Sequence, residues 1–143
     1  MNGKILTFIL NHHIFGVDIT VVKEINRNVE YTPVPQANEH IAGLFNMRGQ
    51  IVTLMDLEKL FGYHQNHKSL KTSCLILKPE AGETDIVGFL IDKPGDVVDI
   101  KEEWCELPPA NVSSLEGKYL RELVKLDDKL VMILDVQKII QVQ

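Results

Sequence analysis

IAGLFNMRGQIVTLMDLEKLFG, residues 41–62, is the stretch on which the reading of the whole chain turns. Its pattern predicts a strand over 41–45, a turn carrying Asn46, Arg48 and Gly49, a second strand over 51–55 and a short helix opening at Asp56. Both strands are apolar at nearly every position and rich in Ile, Val, Leu and Phe, the pattern of strands covered on both faces. At the elbow, Gly49 supplies the positive φ that tight turns use, and Arg48 places a permanent charge with several donors at the tip. A solvated turn has the same composition, so the residues leave a structural and a binding role for Arg48 both open. Asp56 fits a helix N-cap, its carboxylate accepting from first-turn amides. Leu57, Leu60 and Phe61 then share one face before Gly62 ends the helix, so Asp56 reads as a cap rather than a catalytic acid.

Farther along the chain the same pattern returns. Residues 50–61 (QIVTLMDLEKLF) align without gaps on residues 129–140 (KLVMILDVQKII), with Asp56 over Asp135 and Lys59 over Lys138. Each copy reads as a buried strand feeding an Asp-capped helical turn, which predicts two similar β units in tandem. A weaker echo sets Gly16-Val17-Asp18 against Leu90-Ile91-Asp92, and chance similarity of apolar runs accounts for it. Around these anchors, 4–10 and 14–18 flank Asn11-His12-His13 as an opening hairpin. TVVKEIN (20–26) satisfies helical spacing while its β-branching favours a strand, and both readings stand. Residues 31–35 are extended, because Thr32 and Val34 each precede a proline. Beyond a polar loop at 63–71, strands are expected at 72–78 and 86–91, joined by a turn over 79–85, and at 97–100 past a Pro94-Gly95 turn. An irregular stretch covers 102–114, a hairpin over 120–134 turns at Asp127-Asp128, and a helix closes the chain over 135–140. Many short strands with Gly and Pro turns indicate a barrel class.

With 143 residues, 45% of them apolar, the chain suits one domain or two very small ones sharing a core. A net charge of −5 argues against a nucleic-acid surface, which needs clustered Lys and Arg. Cys74 and Cys105 show neither metal-ligand spacing nor a redox pair, and Cys74, inside an apolar run, reads as a small core residue. The N-terminus lacks the parts of a secretory signal and no apolar run is long enough to cross a bilayer, so a cytoplasmic location is expected. In that compartment the Asn111-Val112-Ser113 sequon meets no glycosylation machinery. Only His64 and His67 have ligand-like spacing, and they sit in a polar loop without a carboxylate pair, so no metal site is expected. There is no Gly-rich phosphate loop and no G-x-S-x-G elbow, and Asp56 and Asp135 are explained as caps. No catalytic residue or cofactor is expected. Function is expected in the surfaces, where edge strands and apolar grooves dock partners.

Several ordered motifs carry a family resemblance. Phe15-Gly16-Val17-Asp18, Val22-x-Glu24-Ile25, Thr32-Pro33-Val34-Pro35, Ile41-x-Gly43 with Asn46-x-Arg48-Gly49, and Asp56-Leu57 resemble the CheW family of bacterial chemotaxis coupling proteins, from about Lys4 to the C-terminus. Two positions depart: Thr53 stands where the family commonly has Pro, and Glu58 where it commonly has Arg, a charge reversal expected to alter a partner contact. The resemblance implies a mainly β fold of two tandem five-stranded SH3-like β-barrel subdomains with short helices. These would form one CheW-like domain over 1–143, intertwined, with their boundary in the 63–71 loop. It implies a non-enzymatic adaptor that couples chemoreceptors, the methyl-accepting chemotaxis proteins, to the regulatory domain of the histidine kinase CheA, and that is recruited from the cytoplasm to membrane receptor arrays. Carried over residue by residue, the partner-binding positions are Val22, Glu24, Asn46, Arg48 and Gly49, while Gly43 permits close strand packing. A solvated carboxylate is the competing reading of Glu24. The alternative function is a CheW-like docking module for another partner, such as a polar-localisation or partition protein, motivated by Glu58 and the acidic balance.

Overall fold

The computed structural model describes residues 2–63, 71–82, 84–108 and 115–142; His64, His67 and the 111–113 sequon lie outside them. The first half of the chain forms β1 (Gly3–Leu10), β2 (His13–Asp18), a 3-10 turn (Ile19–Val21), β3 (Val22–Asn26), β4 (Ile41–Met47), β5 (Gln50–Asp56) and α1 (Leu57–Leu60). The second forms β6 (Ser73–Leu77), β7 (Ile86–Ile91), β8 (Lys93–Ile100), β9 (Cys105–Glu106), β10 (Leu120–Leu126), β11 (Lys129–Leu134) and α2 (Val136–Ile140), with 3-10 turns at Glu102–Trp104 and Leu115–Tyr119.

Side chains alternate across a strand, so a run that is apolar throughout must meet a core on each face. IVGFLI in β7 does this, every residue being buried. Ile86 and Leu90 enter one core with Val52, Leu54, Cys74 and Ile76, while Val87, Phe89 and Ile91 enter another with Leu6, Phe8 and Phe15. A third core gathers Ile5, Ile100, Val124, Val131 and Ile133. Two of these cores lie each within one sheet, and the core that draws on both sheets is the largest, with sixteen buried side chains among the described residues against eight and five. The two sheets are therefore fused along an apolar interface rather than joined as beads.

One sheet has the order β3-β6-β7-β5-β4 and the other β8-β1-β2-β11-β10-β9, so the fold is mainly β in two sheets with short helices, and one sheet carries a two-residue sixth strand beyond the five expected. The orders correspond strand for strand, β3 to β8, β6 to β1, β7 to β2, β5 to β11 and β4 to β10. The register agrees in detail. Val52 pairs with Ile86 and Leu54 with Gly88 in one parallel ladder, as Val131 pairs with Ile14 and Ile133 with Gly16 in the other. Both hairpins slip at the same place, between Ile41 and Gly43 and between Leu120 and Glu122. The amide of Asp56 donates to His40 O and that of Asp135 to Tyr119 O, each at 2.7 Å. The bridge Thr32–Leu44 has its counterpart in Glu106–Leu123.

The repeat thus runs β1–α1 and β6–α2, with 63–71 as the connection between halves, but sheet membership does not change there. It changes between Asp18 and Val22 and between Ile91 and Lys93, because each half lends its first two strands to the sheet built by the other half's remaining strands, β3–β5 in one case and β8–β11 in the other. The weak echo dismissed as chance reflects real equivalence of β2 and β7, with Gly16 matching Gly88 rather than Leu90.

Three further expectations change. TVVKEIN divides into a 3-10 turn followed by strand β3. Pro94-Gly95 makes no turn: it lies inside β8, an edge strand where a missing N–H breaks no ladder on the open side, beside a bulge between Leu6 and Phe8. Of the central strands, β5 is covered on both faces only in its inner half, where Val52, Leu54 and Met55 are buried; Ile51 is 56% exposed, and β4 is an edge strand largely half-buried.

Candidate functional site

The β4–β5 turn is two residues long, and both Arg48 and Gly49 have positive φ, 52° and 86°. That is the type I′ geometry whose twist suits a hairpin. Asn46 holds it, its Oδ1 accepting from the Gly49 amide at 2.8 Å. The turn aims Arg48 across the mouth of the sheet to β3, at the opposite end of the strand order. There Nη2 of Arg48 donates to Oε2 of Glu24 at 2.8 Å, while Nδ2 of Asn26 donates to the other carboxylate oxygen at 3.3 Å. The sheet is curled so far that its first and last strands are tied by side chains. The hydrogen bond from Arg48 holds the Glu24 carboxyl below its ordinary value, and Glu24 in turn raises Arg48.

Sequence reasoning therefore selected residues that meet. Exposed Asn46, Arg48 and Gly49 and half-buried Glu24 form one surface patch, with Arg48 bonded to a carboxylate rather than to loop carbonyls. Val22 differs: it precedes a register slip in β3 and packs half-buried on the shared core. Gly43 does permit close packing, since a Cβ there would collide with the Thr32 carbonyl and lie 2.9 Å from Cδ2 of Tyr31.

Glu58 is not at a surface. It is fully buried on α1 and ion-paired with Nζ of Lys71, which also lies 2.6 Å from Oδ1 of Asp92. Oδ2 of Asp92 accepts from the Asn11 amide at 2.8 Å, so the group links α1, the start of β6, the β7–β8 crossover and the β1–β2 turn. Burial alone would push the Lys71 ammonium down, but hydrogen bonds and charge from Asp92 and Glu58 outweigh it and raise the net value. Glu58 next to Leu57 on a helix with only one apolar stripe gave the sole sequence signal; Lys71, in a polar run, gave none. Asp56 and Asp135 are caps, accepting from the amides of Lys59 and Lys138 at 3.2 and 3.3 Å. Cys74 is a core residue whose thiol burial pushes up to about 12. Among the described residues, no cluster of three or more His, Cys, Asp or Glu side chains is placed to hold a metal, and no helix is long and apolar enough to cross a membrane.

Comparison with known proteins agrees with this frame. The model of the CheW-like domain matches residues 4–143. The chemotaxis protein CheW of Thermotoga maritima is 30% identical over 138 residues, covering 96% of this chain and 87% of that protein. The chemotaxis protein CheW of Bacillus subtilis is 26% identical, covering 96% and 86%. The crystal structure of scaffolding protein TtCheW from Thermoanaerobacter tengcongensis superposes with a TM-score of 0.81 at 31% identity, covering 94% of this chain and 89% of that one. With a family model matched over nearly its whole length and the sheet pair shared with a solved member, this chain belongs to the CheW-like domain family.

Proposed function

We propose that this protein is a non-enzymatic adaptor of chemotaxis signalling that couples the cytoplasmic tips of chemoreceptors to the regulatory domain of the histidine kinase CheA. It works in the cytoplasm and joins receptor arrays at the membrane through those partners. The observation that carries the reading is the Glu24–Arg48 pair, which gathers motif residues from β3 and the β4–β5 turn into one charged surface patch, Arg48 exposed and Glu24 half-buried. Val22, Glu24, Asn46, Arg48 and Gly49 are its contact residues, Val22 acting from beneath by fixing the path of β3. Arg48 has two roles: it ties the edges of the sheet, and its side chain, 66% exposed, keeps donors free for a partner.

The test is a titration of the full chain against a CheA regulatory domain and, separately, a receptor-tip hairpin, using wild type, Arg48→Ala and the exchanged pair Glu24→Arg/Arg48→Glu. Wild type binds at least one partner at micromolar concentrations. Arg48→Ala weakens binding, and the exchanged pair restores stability but not affinity. Binding of neither partner by wild type sinks the adaptor reading; full affinity in the exchanged pair reduces Arg48 to a structural tie.

A further inference from the structure

The register equivalence of the two halves sets one place in the molecule over another, and the two are filled differently. In the first half, rings pack between the β1–β2 hairpin and α1: Phe8 on Phe15 with centroids 5.9 Å apart, Phe15 on Phe61 at 5.6 Å, Phe61 on Tyr63 at 5.7 Å and Tyr63 on His13 at 5.5 Å. The paired ladders carry these residues onto Leu77, Val87, Ile140, Val142 and Asp85 between the β6–β7 hairpin and α2. Every ring becomes an aliphatic side chain or, for His13, a carboxylate. The backbone frame is the same, so the exchange leaves room: a cleft of about 600 Å³ lies there, floored by Leu77, Pro79, Val87 and Ile140.

The electrostatics diverge in parallel. In the first half Lys71, following Tyr63 along the chain, seats its ammonium on Glu58 and Asp92. In the second half the counterpart of Glu58 is Gln137, exposed on the cleft wall, and the rim carries Glu80 and Asp85 against one cation, Lys78. The first half thus shows what this frame accommodates when closed: an aromatic side chain and, near it, a cation held by carboxylates.

We propose that the cleft between the β6–β7 hairpin and α2 is a binding site for an aromatic side chain carried next to a cationic one on a partner polypeptide. The ring occupies the space over Val87 and Ile140 that rings fill in the other half, and the cation meets Glu80 and Asp85. The cleft lies in the same sheet as the Glu24–Arg48 patch, whose strand β3 pairs with β6, but its lining shares no residue with that patch, and the proposal does not depend on the adaptor reading.

The full chain, 15N-labelled, is titrated with N-acetyl-tyrosyl-lysine amide, with N-acetyl-alanyl-lysine amide and N-acetyl-tyrosyl-glutamate amide as comparisons. Amide shifts concentrate at 77–82, 84–87 and 137–141 and saturate with a Kd on the order of millimolar, as suits so small a ligand. The alanyl probe produces no saturable shifts, and the glutamate probe binds at least about threefold more weakly. Val87→Phe, which restores the ring found at Phe15, abolishes binding in the folded variant. Asp85→Lys removes the preference for the lysine probe, and it decides the matter if Val87→Phe does not fold. Absent or scattered shifts, unchanged affinity in folded Val87→Phe, or an unchanged probe preference in Asp85→Lys would overturn the proposal.

Discussion

Replacing Lys71 by Met removes an ammonium from between two carboxylates, one of which, Glu58, has no exposed surface. An apolar side chain of similar length keeps the packing, so the cost is mainly electrostatic. Removing one partner of a buried ion pair costs about 3–5 kcal/mol, because the remaining charge stays desolvated. The upper part of that range applies to Glu58; Asp92, 30% exposed, is partly relieved by water and adds little. For a chain of this size each kcal/mol moves the melting temperature by about 2–4 °C, so Lys71→Met is expected to melt roughly 10 °C below wild type. Glu58→Leu in the same chain removes the desolvated carboxylate and recovers at least half of the loss. The assay is urea unfolding of wild type, both single variants and the double variant as a cycle. The pH dependence follows from the raised lysine value. Stability from Lys71 is whole below the ordinary value of 10.5 and fades as pH rises beyond it. The gap between wild type and Lys71→Met is therefore flat from neutral pH to about pH 9 and narrows only in more alkaline solution. A loss under about 1 kcal/mol for Lys71→Met, or no recovery in the double variant, refutes the burial argument.

Gly43→Ala must displace the Thr32 carbonyl and is expected to cost about 1–3 kcal/mol and to speed hydrogen exchange of the Leu44 amide, which donates to Thr32 O at 2.9 Å; unchanged exchange disproves it. Asp56→Ala and Asp135→Ala should each lose at least about 1 kcal/mol in urea titrations, because each carboxylate accepts from a first-turn amide of its helix; no loss in either variant disproves the cap role. Iodoacetamide at mildly alkaline pH should modify Cys74 only as fast as the protein opens, since the thiol is fully buried and raised to about 12; rapid modification of Cys74 in the native chain, told apart from half-buried Cys105 by peptide mass spectrometry, contradicts this.

What was legible in the sequence was local. Strand runs, the Arg48-Gly49 elbow, and the caps Asp56 and Asp135 depend on residues within a few positions of each other, and spacing alone revealed them. The repeat was visible where both copies kept apolar strand, Asp and helix in step, and it faded in β2 and β7, where the register sets Gly16, Val17 and Asp18 on Gly88, Phe89 and Leu90, a match without shared Val or Asp. Glu58 was misjudged because its partner, Lys71, is brought to it by the path of β6, not by any helical spacing. The exchange of strands between halves was equally hidden. Each strand would look the same in either sheet, and the choice is made by which core its two faces reach.

That exchange has a consequence for how the two halves evolve separate surfaces. Each sheet contains strands from both copies, so a substitution in one copy changes one wall of each sheet and cannot be confined to a single subdomain. Divergence is cheapest where a side chain faces out of the shared interface core. The seam is such a place, and the hairpin ends border that core, with His13, Tyr63 and Asp85 at its rim. At the seam, Glu24 and Arg48 form an ion pair, and their counterparts by register are Asp96 and Asp127, two like charges. At the hairpin ends, rings and a buried lysine close one position while aliphatic residues leave the other open. Backbone duplicates that keep their ladders to the residue but differ in charge and volume at these outer positions present different surfaces at equivalent places. Unlike surfaces at equivalent places thus arise from one repeated fold.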